Sequence, residues 1–139
     1  MSTEFKIMII GLFIIFLTVI VIAVRFIIRR AKLRPRKKKF DARWKDLQKL
    51  LKDKSCWSDA LIQADKLLDK ALIKRGYKGQ SMGERLVNAQ RAFSDNDSVW
   101  FGHKLVKKIH DNPELPLKEV DVKNALLGLK KGLKDLGAL

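Results

Sequence analysis

Residues 7–24 read IMIIGLFIIFLTVIVIAV, a run of eighteen without a charge, diluted only by Gly11 and Thr18. Fourteen of the eighteen are Ile, Leu, Val or Phe. At about 1.5 Å per residue, such a helix measures about 27 Å, close to the hydrocarbon thickness of a bilayer. Phe26 to Ile28 can lengthen it while Arg25 extends its guanidinium outward along an aliphatic stem. β-Branched residues are no handicap in lipid, where backbone groups have no partners except those within the helix. A single membrane-spanning helix over residues 7–28 is therefore expected. A cleaved signal peptide fits less well: Val21 and Ala23 imitate a small-x-small site, but apolar residues continue to Ile28. A core helix of a soluble protein would not be apolar on every face over this length.

The flanks predict the orientation. Before the span stand only Lys6 and Glu4, whereas Arg25, Arg29, Arg30, Lys32, Arg34, Arg36, Lys37, Lys38 and Lys39 follow with no acid among them. Positive charge stays on the cytoplasmic side, so residues 1–6 are expected outside and the rest of the chain at the cytoplasmic face of the cell's inner membrane. The basic segment, residues 29–40, is also placed to meet a polyanion. Arg29, Arg30, Lys32, Arg34, Arg36, Lys37, Lys38 and Lys39 are candidate contacts for anionic headgroups or phosphates. Lipid is the nearer polyanion for a tethered chain, although nucleic acid would be attracted by the same charges.

The whole chain has 139 residues and a formal charge of +15, from 30 Lys and Arg against 15 Asp and Glu. From Phe40 onward the excess falls to +6, so more than half of it is concentrated beside the span. About 100 residues remain after the membrane and basic segments, enough for one small hydrophobic core. Cys56 is the only cysteine, which excludes an intrachain disulfide; beside Trp57 it is expected to be a small core residue.

Over residues 41–139 the apolar spacing is helical throughout, and no segment alternates with a period of two. Phe40, Trp44, Leu47 and Leu51 define a stripe on a helix from about Asp41 to Lys52. A second helix, capped by Ser55 or Ser58, carries Trp57, Ala60, Leu61, Ala64, Leu67, Leu68, Ala71 and Leu72, and Gly76 ends it. Ser81 and Glu84 form a capping box for a third, with Met82, Leu86, Ala89 and Phe93 inward. After the turn SDNDS (94–98), a fourth runs from about Ser98 to His110 with Val99, Gly102, Val106 and Ile109 on one stripe. Beyond Pro113 and Pro116, Val122, Ala125, Leu126, Leu129, Leu133 and Leu136 define the last. The expected fold is all-α: one N-terminal transmembrane helix, then a small antiparallel bundle of four to five helices.

Sites are sparse. His103 and His110 are the only histidines and stand seven residues apart, about 10.5 Å along a helix, too far to share a metal as an i, i+4 pair would. They are weak catalytic candidates, more simply explained as surface or bundle-bonded residues. Neither a phosphate-binding glycine loop nor a nucleophile motif is present, and no cofactor or metal is expected. Asp59, Asp65 and Asp69 alternate with Lys66 and Lys70, as on a solvated face. Gly128 and Gly132 form a G-x-x-x-G whose lysine neighbours favour close packing inside the bundle over pairing in lipid.

Three blocks carry a resemblance. W-x-x-A-L-I-x-A-D-K-L-L-D-x-A-L-x-x-x-G-Y from Trp57 to Tyr77, G-x-x-M-G-E-R-L from Gly79 to Leu86, and W-x-x-H-K-L from Trp100 to Leu105 resemble the HEPN-like helical domains attached to membrane segments in small-genome bacteria. That resemblance implies an antiparallel four-helix bundle, often dimeric, with RNA cleavage or nucleotide binding in active members. Active members carry an Arg-Asn pair and a His four residues after the Asn. The corresponding positions here are Val106, Lys107 and Asp111, with His110 one place early. Without the arginine a phosphate loses its fixed charge partner, and the imidazole is turned about 100° around the helix. The expectation is a non-enzymatic, membrane-anchored interaction module that associates with itself or another protein. The alternative is a HEPN-like tether for RNA, nucleotide or anionic lipid, with residual ribonuclease activity the least favoured reading.

Overall fold

The computed structural model describes residues 2–32 and 36–139, the side chains of Arg30 and Lys32 excepted. All regular structure among them is helical, and the chain divides into two compact units, Met1–Leu33 and Arg34–Leu139. The first is one helix, α1 (Thr3–Lys32). Its section Thr3–Arg29 is the one helix among the described residues that is long and apolar enough to cross a membrane, and none of that section is buried.

The second unit is a bundle of five helices: α2 (Lys37–Leu50), α3 (Trp57–Lys74), α4 (Met82–Asn88), α5 (Asn96–Asp111) and α6 (Glu119–Asp135). Helix α3 is central and packs against each of the other four. The predicted stripes are the core: Phe40, Trp44 and Leu47 of α2, Leu61, Leu68 and Leu72 of α3, Val99 and Val106 of α5, and Leu129 and Leu133 of α6 are all buried.

Helix ends differ in detail from the sequence expectations. Neither Ser55 nor Ser58 caps α3. Instead, Asp53 accepts the Ser55 amide at 2.9 Å and starts a 3₁₀ turn, Lys54–Cys56, that leads into α3. The Trp57 indole then donates to the Leu51 carbonyl at 3.1 Å, fastening the end of α2 to the start of α3. Cys56 is only half-buried, so it is not the core residue expected. Gly76, at φ 84°, closes α3: its amide bonds the Ile73 carbonyl while the Tyr77 amide bonds that of Leu72. Gly137 at φ 72° closes α6 in the same way, with the Ala138 amide on the Leu133 carbonyl. Ser81 caps α4 through the Glu84 amide, but the Glu84 carboxylate reaches the Gln80 amide at 2.8 Å, one residue before the position expected of it.

Helices α5 and α6 run antiparallel, and glycines set their separation. A Cβ on Gly102 would stand 2.7 Å from Leu129 Cγ and 2.9 Å from the Ala125 carbonyl oxygen, and one on Gly128 would overlap the Ser98 carbonyl. The G-x-x-x-G thus serves close packing within the bundle.

Candidate functional site

Helices α2 and α3 lie side by side, and their stripes do not fully close over one another. Between them runs a groove of about 500 Å³ with Phe40, Leu47, Leu67 and Ile73 as its apolar lining. Ile73 is 54% exposed, unlike the core residues beside it. The rim is basic. Lys39 and Arg43 fall at i, i+4 on α2, and Lys66, Lys70 and Lys74 fall at i, i+4, i+8 on α3, so each helix contributes one ridge of cations. Asp46 is the one acid in the lining, and its carboxylate already meets Lys49 at 3.3 Å.

Among the described residues, the ion pairs join Lys49 to Asp46, Arg85 to Asp69, His103 to Asp65, Lys123 to Glu119 and Lys131 to Asp95; none uses a cation of the groove. Like charges at i, i+4 work against a helix. Three such pairs (Lys39 with Arg43, Lys66 with Lys70, Lys70 with Lys74) stand on these two helices, and no ion pair among the described residues relieves them. The arrangement can hold an anion over an apolar floor.

No protein-family model, curated protein or solved structure matches this chain.

Of the basic residues singled out in the sequence, Lys39 is the one that lines the groove. Arg29 lies exposed on α1, while Arg36, Lys37 and Lys38 lie exposed at the start of α2. Arg30 and Lys32 belong to α1, with side chains outside the description, and Arg34 lies outside the described residues. Arg43, Lys66, Lys70 and Lys74 were not among the candidates. A signal for three of them was present: adjacent helical residues are about 100° apart, so lysines at 66, 70 and 74 form a ridge of their own beside the aspartates at 65 and 69.

Those aspartates do not form a freely solvated face, which corrects the sequence expectation: Asp65 is buried and Asp69 half-buried. Asp65 and His103 are both buried, and His103 Nδ1 stands 3.1 Å from each carboxylate oxygen of Asp65, joining α3 to α5. The Trp100 ring meets the imidazole edge-on, with centroids 5.9 Å apart. One turn along α3, Asp69 accepts a two-pronged pair of bonds from Arg85 at 2.7 and 2.9 Å, and the third guanidinium nitrogen donates to the Gly79 carbonyl at 2.6 Å. This layer ties α4 and its preceding loop to α3. Only Asp59 keeps the surface position expected, bonded to Gln63 at 2.7 Å. His110 is exposed at the end of α5, as are Lys107 and Asp111, while Val106 is buried. Among the described residues no group of three or more His, Cys, Asp or Glu side chains is arranged to hold a metal ion.

Proposed function

We propose that the chain is a single-pass membrane protein whose α1 anchors a small, non-enzymatic interaction module at the cytoplasmic face of the cell's inner membrane. The carrying observation is the contrast between its units: Thr3–Arg29 buries nothing, while α2–α6 close a core of their own. Apolar surface on that scale is not left in water, and the cations that follow it favour the cytoplasmic side. The loss of the arginine from the Arg-Asn/His pattern at Val106 and Lys107 supports a role in binding rather than RNA cleavage.

Self-association has its own support. Phe101 of α5 and Leu127 of α6 are 41% and 64% exposed and line one shallow cavity, flanked by Asp97 and Lys131. A surface that pairs an apolar centre with both signs of charge has the ingredients a two-fold interface needs, since each sign can meet its opposite on the other copy. The likeness to HEPN-like bundles, many of them dimeric, points the same way.

Alkaline carbonate should leave the full chain in the membrane pellet; its release would remove the anchoring. In a Cys56→Ser background, Leu127→Cys should crosslink into a disulfide dimer in intact membranes and Val87→Cys, exposed on α4, should not. Equal crosslinking at both positions, or none at Leu127→Cys, would remove self-association.

A further inference from the structure

The cations of the α2–α3 groove are unexplained by the fold. They lie in two ridges on either side of an apolar strip, none of them forms an ion pair among the described residues, Asp46 being engaged by Lys49, and like charges at i, i+4 oppose the helices that carry them. Electrostatic matching therefore calls for an anion, and the apolar strip calls for an aliphatic segment attached to it. A volume of about 500 Å³ is that of a cleft for one small ligand. Lys39, the first groove residue, follows Ile28 by only eleven positions. By chain length alone, a connection of eleven residues spans at most about 40 Å, so an anchored chain keeps Lys39 within that distance of the end of the span.

We infer that the groove between α2 and α3 binds one anionic phospholipid from the membrane that holds the chain, an inference that rests on the anchoring proposed above. The phosphate sits between the Lys66–Lys70–Lys74 ridge and the Lys39–Arg43 ridge, where ammonium groups act as point charges and the Arg43 guanidinium can offer two parallel donors. The first part of an acyl chain covers Leu47, Leu67 and Ile73. This site is distinct from diffuse attraction by the cations of the segment 29–38.

The test uses the full chain in nanodiscs whose lipid carries a photoreactive group on its acyl chain, with labelled residues mapped by mass spectrometry. One preparation carries the group on phosphatidylglycerol and another on phosphatidylcholine. Phosphatidylglycerol should label the groove walls, and phosphatidylcholine should label them at least about tenfold less. Lys66→Glu/Lys70→Glu/Lys74→Glu should lower the groove label by about tenfold or more. The triple Lys→Arg variant at the same positions should keep it, which separates lost charge from lost structure. Arg29→Gln/Arg36→Gln/Lys37→Gln, outside the groove, should also keep it. Equal labelling by the two lipids overturns the inference, as does a groove label indifferent to the glutamates. Label on α1 reports the anchoring separately: a labelled α1 with a bare groove overturns this inference alone. A bare α1 overturns the anchoring and, with it, the bilayer as the source. Displacement of the groove label by added single-stranded RNA assigns the site to that polyanion instead.

Discussion

Asp95 accepts the Ser98 amide at 3.1 Å and the Ser98 hydroxyl at 2.6 Å, capping α5, and Lys131 of α6 approaches its carboxylate at 3.3 Å. The Ser98 bonds first, and Lys131 after them, hold its pKa at about 2, below the ordinary 3.8. Because the folded value is the lower, this contribution is complete above the unfolded pKa and fades as pH falls from about 3.8 through 2. Asp95→Asn keeps a good cap without the titration. The melting temperature of the wild type should therefore fall more steeply across that window than that of the variant; parallel curves would exclude the carboxylate as a source of acid sensitivity. Single residues were also the hardest to place from sequence. Asp65 and Asp69 look like any charged helix positions, and the side chains that bond them, His103 and Arg85, stand 38 and 16 residues away. No local pattern announces such partners.

Elements were far more legible. Helical spacing identified the buried stripes of α2, α3, α5 and α6, because a packed helix must hide one face and the period of that face is fixed by its geometry. The third stripe overran its helix, since α4 ends at Asn88 and Phe93, though buried, follows a separate 3₁₀ turn, Gln90–Ala92, in extended backbone. Ends were less so: α2 starts at Lys37 rather than near Asp41, and α5 starts at Asn96 rather than Ser98, since caps compete among neighbouring polar residues. The glycines of α4 and α6 should respond in opposite directions to the same change. Gly83→Ala meets only ordinary contacts, 3.8 Å from Ser81 and 3.9 Å from Trp100, and should stabilise by about 0.5–1 kcal/mol through helix propensity. Gly128→Ala drives a methyl into the Ser98 carbonyl and should destabilise by about 1–3 kcal/mol as α5 and α6 are pushed apart. Urea unfolding midpoints measure both, and a Gly128→Ala variant as stable as wild type would refute the close approach.

For the molecule as a whole, the division into two units was readable at once, because eighteen uncharged residues in a row have few uses outside lipid. The groove was not, because it belongs to neither α2 nor α3 alone and exists only where their edges meet. A chain consisting of residues 36–139 should remain in solution without detergent and keep a helical circular-dichroism spectrum, since its core is self-contained. The full chain should need detergent or bilayer to avoid aggregation. Insolubility of the shorter chain would mean that its apolar surface is not closed. The five cations of the groove, none in an ion pair among the described residues, carry one more implication. A ligand that the assembled groove binds more tightly than the unfolded chain does favours the folded bundle by mass action, so, if the groove takes an acidic lipid, resistance to cellular proteases would rise in a leaflet rich in acidic headgroups and decline in a zwitterionic one. The lifetime of the protein would thus track the composition of the surface beside it.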